Sequence, residues 1–126
     1  MGVTYDAGAL IAAERGERRM WARHRALLVS RIVPTVPAAV IAQTWRGGGR
    51  QAQLSRLVVG CEVEPLDHDQ ARKVGSLAAK AATTDIVDAC VVEGALRRAD
   101  LVITSDRDDL KAIANAAGRS LDIEAP

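Results

Sequence analysis

Flat side chains are nearly missing from this chain: it has no Phe, and Tyr5, Trp21 and Trp45 are its only aromatic residues. Sequence reading of nucleic-acid bases by stacking is therefore not expected to dominate. Cysteine is as scarce. Cys61 and Cys90 show no metal-ligand spacing and sit among Val and Ala, as small buried hydrophobes do. No run approaches the roughly 18 apolar residues of a membrane span, and no signal-peptide pattern precedes the first strand. A cytoplasmic protein is expected. Acidic residues are rare in one half only. Residues 1–60 hold nine Arg and three acids, whereas residues 61–126 hold eight Lys or Arg and thirteen acids. The net charge of +1 thus conceals halves of about +6 and −5. An Arg-rich face beside an acidic pocket suits a metal-dependent enzyme acting on a phosphate backbone.

What is present is enough for one domain. A chain of 126 residues with 48% hydrophobic content can bury a core but has no room for a second. The pattern alternates strands and helices. A strand at 2–5 leads into a short helix from Gly8 to about Arg15, then an Arg-rich helix from about Glu17 to Val29. Arg31 to Val36 reads as a short strand, and Pro37 to Arg46 as a helix with Pro37 in its first turn, where no N–H is needed. A helix at about 50–59, a strand from Cys61 to Leu66 and a helix from His68 to Ala81 follow, the last with Asp67 as its N-cap. Helix Thr84 to Arg98 is apolar on nearly every side and so reads as largely buried. A strand, Leu101 to Thr104, runs into a final helix ending near Gly118.

Carboxylates stand out in this pattern by position. Asp6 follows Gly2-Val3-Thr4-Tyr5 and Asp106 follows Leu101-Val102-Ile103-Thr104-Ser105. An apolar strand running into an Asp puts it at the carboxyl edge of a parallel sheet, where open α/β folds bind ligands. Asp88 lies within the buried helix, where an ionised carboxylate is costly unless paired or metal-bound. Asp85 lies on the same side of that helix, or simply favours its dipole from the first turn. Asp106, with Asp108 or Asp109, has an alternative reading as a capping arrangement. Carboxylates gathered in one cleft repel each other unless a cation neutralises them. A hard divalent ion, Mg²⁺ or Mn²⁺, needs only two or three of them.

Other features read as structural. Gly47-Gly48-Gly49 fits neither phosphate-loop pattern and is a helix end and hinge. His68 is a surface residue of a first turn, and His24 sits among Arg on a polar helix face. Met20, Trp21, Leu27 and Leu28 read as core, with a partner groove as the alternative.

Val3-Thr4-Tyr5-Asp6-Ala7-Gly8-Ala9-Leu10-Ile11, Asp85-Ile86-Val87-Asp88-Ala89 and Val102-Ile103-Thr104-Ser105-Asp106-Arg107-Asp108 together resemble the signatures of PIN-domain ribonucleases, especially the VapC-type toxins of toxin-antitoxin pairs. The resemblance spans nearly the whole chain in order. It implies a three-layer α/β/α fold with a mainly parallel sheet, and Mg²⁺, or Mn²⁺ in its place, at an acidic cluster of Asp6, Asp88 and Asp106. It further implies endonucleolytic cleavage of RNA leaving a 5′-phosphate, a VapB-like antitoxin partner and a homodimeric toxin. The family's second acid is replaced: Gln43 stands where a Glu is usual, with Asp85 or Asp108 as residues to compensate. Arg15, Arg18, Arg19, Arg46 and Arg50 are candidates for gripping the RNA backbone. Two other readings compete. One is a PIN-like module that binds RNA or a partner without cutting, because of Gln43. The other is a phosphoacceptor receiver-like domain, which wants adjacent acids after the first strand and a late Lys that this sequence lacks.

Overall fold

The structure is a computed structural model describing all 126 residues. The chain runs β1 (Val3–Tyr5), α1 (Ala7–Glu14), α2 (Arg18–Val29), β2 (Thr35–Pro37), α3 (Ala38–Thr44), a 3-10 turn (Gly49–Gln51), α4 (Ala52–Val59), β3 (Glu62–Glu64), α5 (His68–Ala81), α6 (Ile86–Arg98), β4 (Leu101–Ile103), α7 (Arg107–Ala116) and β5 (Asp122–Glu124). The five strands form one sheet in the order β3-β2-β1-β4-β5, and every pairing is parallel. The sheet is wholly parallel, as strands connected through helices require.

Side chains alternate across a strand, and β1 shows where the two helical layers lie. Tyr5 meets His24 of α2 on one face, while Thr4 meets Asp100 and Arg98 at the end of α6 on the other. α5, α6 and α7 pack on one another, and α1 packs on α2, α3 and α4. The main core joins 22 buried residues, with Tyr5, Leu10, Met20, Val36, Leu57 and Ile103 fully enclosed.

Several expectations need correction. The strand expected from Arg31 begins only at Thr35. Arg31 takes the left-handed conformation, φ 61°, in a turn closed by Ile32 N–H on Leu27 C=O, and the next residues bring the chain back to the sheet. Pro37 ends β2 and caps α3 in an extended conformation instead of entering the helix. α3 stops at Thr44, because the buried Gln51 amide takes over its end: Oε1 accepts from the N–H groups of Arg46 and Gly47, both at 2.8 Å, and Nε2 donates to Thr44 C=O. Those amides are thereby occupied, and Gly47 and Gly48 adopt positive φ, so the glycine run is a turn. β5 went unforeseen, since only its central Ile123 is buried.

His24 is not a surface residue among arginines. It is 3% exposed, its Nδ1 shares a hydrogen bond of 3.0 Å with the Tyr5 hydroxyl, and Trp21 meets it edge-on. Met20 is core, Trp21 and Leu27 pack against the core, and Leu28 stays partly exposed. Cys90 is buried and Cys61 half-buried, both free. Asp67 caps α5 as expected, accepting from Gln70 N–H at 2.8 Å.

Candidate metal centre

β1 and β4 lie side by side in register, Tyr5 opposite Ile103, and Asp6 N–H donates to Ile103 C=O. The residues just past these two strands are therefore neighbours. The sheet order places them where the chain winds outward in both directions, which is where open parallel sheets leave a crevice. α1 abuts the β4–α7 turn so tightly that a Cβ on Gly8 would lie 2.7 Å from Ser105 N. Only glycine permits that approach.

α6 supplies the third acid. Asp85 caps it, accepting from Asp88 N–H at 2.9 Å, and Asp88 emerges from the first turn. One carboxylate oxygen from each of Asp6, Asp88 and Asp106 lies within 4.8 Å of the others. Asp6 and Asp88 are buried and Asp106 is exposed. Asp106 is the residue before α7, yet its carboxylate makes no capping hydrogen bond and stays free.

Thr104 organises the pair on the strands. Its hydroxyl donates to Asp6 Oδ2 at 2.7 Å and accepts from Asp106 N–H at 2.9 Å, with the residue 2% exposed. Asp6 Oδ1 has no partner, alone among the buried side-chain polar atoms of the protein. Such an orphaned oxygen is expensive unless a ligand completes it.

Electrostatics point the same way. Burial holds the Asp6 carboxyl above its ordinary range against the hydrogen bonds from Thr104 and the neighbouring Ala7 N–H, and repulsion from Asp106 and Asp85 adds a smaller push in the same direction. Burial, with Asp85, Asp6, Asp106 and Asp109 adding their charges, pushes Asp88 up to about 7. None of the three is in an ion pair. An all-oxygen, uncompensated and partly enclosed donor set fits a hard divalent cation.

Asp106 borders a cleft of about 810 Å³. Gln43, Arg15 and Arg46 line it, but Arg18, Arg19 and Arg50 do not. Asp85 is engaged as a helix cap. Asp109 adds to the charge felt by Asp88. Thr104 was missed altogether, although its place two residues before Asp106 in a strand running into an acid was a signal.

No family model and no curated protein sequence matches the chain. Solved structures do. The chain matches one of VapBC2 from Rickettsia felis bound to a DNA fragment from their promoter, with TM-score 0.75, 13% identity, and coverage of 100% of this chain and 99% of that one. The fold is PIN-like. The second match, FitAB bound to an IR36 DNA fragment, has TM-score 0.66 at 14% identity and covers 98% of this chain and 94% of the other. The PIN-like fold thus extends over the full length on which the three motifs were spaced. No helix is long and apolar enough to cross a membrane.

Proposed function

We propose that this protein is a metal-dependent endoribonuclease acting as the toxin of a toxin-antitoxin pair. The observation that carries the reading is the unpartnered Asp6 Oδ1 inside a cluster of three carboxylates at the carboxyl edge of the sheet. The likeness to the VapBC2 and FitAB toxin-antitoxin structures supports the toxin role and a VapB-like antitoxin that would hold it in check. Its setting is the cytoplasm, where RNA is available, and its working form a homodimer.

Asp6, Asp88 and Asp106 would hold Mg²⁺, or Mn²⁺ in its place. A bound ion would supply Lewis acidity to the scissile phosphate and lower the pKa of attacking water; with water as nucleophile and the 3′-oxygen as leaving group, the 2′-hydroxyl need not react and the product would carry a 5′-phosphate. The protein's own residues then have defined tasks. Thr104 keeps Asp6 Oδ2 engaged, so that Oδ1 faces the site. Arg15 and Arg46 line the cleft that Asp106 borders, together with Glu14 and Glu17, and would grip phosphates there, Arg46 by exchanging its hydrogen bond to Trp45 C=O for a phosphate oxygen. Arg18, Arg19 and Arg50 act farther out, by attracting the polyanion. Gln43 contributes a neutral oxygen at the cleft wall, and Asp85 the charge that deepens the site's need for a cation. Asp108 plays at most an outer part.

Gln43 also favours a second reading, a PIN-like module that binds RNA or a partner without cutting. One experiment separates the two. Purified protein free of antitoxin is incubated with total RNA and Mg²⁺ or Mn²⁺, with and without chelator, beside Asp88→Asn. Metal-dependent cleavage lost in the variant is the expected result. Intact RNA from protein that circular dichroism shows to be folded favours the module. Melting adds an independent readout: metal should raise the wild-type transition by binding the folded state, worth about 1.4 kcal/mol at ten times Kd, and should leave Asp88→Asn unmoved.

A further inference from the structure

Outside the carboxylate site, the basic side chains of residues 61–126 divide into two groups. Arg97 and Arg98 pair with Glu64, and Arg107 and Arg119 donate to backbone carbonyls. Arg72, Lys73, Lys80 and Lys111 have no hydrogen-bond or ion-pair partner, although acids outnumber bases in this half. Three of those four, Arg72, Lys73 and Lys80, line one open groove of about 440 Å³ between α5 and α7. Ser76, Leu77 and Ala117 complete its lining, and none of the six is acidic.

The spacing is regular. Arg72, Ser76 and Lys80 recur every fourth residue of α5, so they stand in one row about 6 Å apart along the helix axis. A row of cation, hydroxyl and cation offers successive phosphates two charge-assisted contacts and a hydrogen bond between them. Lys73 also borders the neighbouring pocket of Glu64, Asp67 and Asp69, which dilutes its charge.

The groove has a fixed relation to the metal centre. α7 begins beside Asp106 and ends at the groove's Ala117, a run of about 16 Å at the helical rise. A single strand whose scissile phosphate sits at the carboxylates covers that span with about five nucleotides at a stacked rise of roughly 3.4 Å.

We infer that the α5–α7 groove is a second phosphate-backbone site, which holds single-stranded RNA several nucleotides from the bond that is cut. This rests on the nuclease reading above. It gives the protein a preference for long substrates without any base contact, in keeping with a groove that has no aromatic residue.

The test uses the full chain and a fluorescent 20-nucleotide RNA, with anisotropy measured in chelator across a salt series. Arg72→Ala and Lys80→Ala change exposed residues and leave the cleft intact. The double variant should bind the 20-mer about tenfold more weakly, and its slope of log K against log salt should fall by about 1.4, two contacts at roughly 0.7 each for a single strand. Cleavage of a 4-nucleotide RNA should be unchanged. Identical affinity and slope in the double variant would overturn the inference while leaving the nuclease reading to its own cleavage assay. Wild-type protein that cuts the 4-mer but does not bind the 20-mer would overturn the groove alone. Protein that neither binds nor cuts would overturn both. Displacement of the 20-mer by polyglutamate at equal charge would assign the groove to an acidic peptide and also overturn it.

Discussion

Asp100 and Asp6 are both buried carboxylates beside β1, at opposite ends of the sheet, 6% and 1% exposed. At the amino end Asp100 is fully answered. Its Oδ1 accepts from Gly2 N–H at 2.9 Å, and its Oδ2 accepts from the Thr4 hydroxyl at 2.8 Å and from Arg98 Nε at 2.9 Å. Arg98 is held in turn by Glu64 at 2.7 Å. At the carboxyl end Asp6 has one hydroxyl partner, an orphaned oxygen and two more acids within 4.8 Å. Burying either charge costs free energy. The chain neutralises Asp100 with its own residues and leaves Asp6 for a ligand. An acid that the fold itself neutralises serves structure, whereas acids left clustered without a cation belong to a site.

The widest contrast should come from exchanging oxygen for amide at each end. Asp6→Asn should lower metal-dependent RNA cleavage by at least about 100-fold, as loss of a metal ligand does, while urea stability holds or rises because repulsion is relieved. Asp100→Asn should do the reverse. Breaking one partner of a largely buried ion pair costs about 3 kcal/mol in urea unfolding, with cleavage per folded molecule within about twofold of wild type. If Asp100→Asn removed cleavage at full stability, the division between the two ends would be wrong.

A titration sharpens the comparison further. Asp88 titrates near 7 in the fold against 3.8 for an ordinary Asp. Between those values the folded protein holds a proton that the unfolded chain has lost, so this group's stabilisation is present at acid pH and is lost as pH rises to about 7. The slope is at most about 1.4 kcal/mol per pH unit. His24, lowered by burial, acts oppositely: its contribution is lost as pH falls below 6.5. The difference in urea stability between wild type and Asp88→Asn cancels the His24 part. That difference should shift against the wild type as pH climbs from about 4 to 7. A flat difference would mean that Asp88 is ionised throughout and needs no cation.

Thr104→Val tests how the site is held. Removing the hydroxyl leaves Asp6 Oδ2 and Asp106 N–H without their shared partner, a cost of about 2 kcal/mol. Metal affinity measured by calorimetry should fall about tenfold, and Thr104→Ser should restore both. A loss of stability with unchanged metal affinity would reduce Thr104 to a packing role.

What the sequence disclosed follows from range. Strand-end Asp6 and Asp106 and the capped helices were legible because a strand, a turn and a cap are local patterns. α5 appeared with its predicted bounds and its Asp67 cap. The juxtaposition of Asp88 with the strand-end acids was legible only through the family resemblance that the three motifs carry. Partners distant in sequence were not legible. Asp100 with Gly2 and Thr4, His24 with Tyr5 and Gln51 with Thr44 are pairings that only the folded chain creates. β5 escaped for another reason, being an edge strand with a single buried residue.

The smallest expected effect concerns the one neutral position in the acidic pattern. Gln43 is exposed on the wall of a cleft that Asp106 borders, while Asp6 and Asp88 do not line that cleft. A carboxylate there would act through space, in a largely solvated position where charges interact weakly. Gln43→Glu should therefore tighten Mn²⁺ binding by only about threefold in calorimetry and leave the apo protein slightly less stable, because a further negative charge joins an uncompensated set. A gain of two orders of magnitude would place residue 43 among the metal's own ligands and make Gln43 a deliberate weakening of the site. No change would mean that the side chain faces substrate, and that the Asp6–Thr104–Asp106 arrangement sets metal affinity on its own.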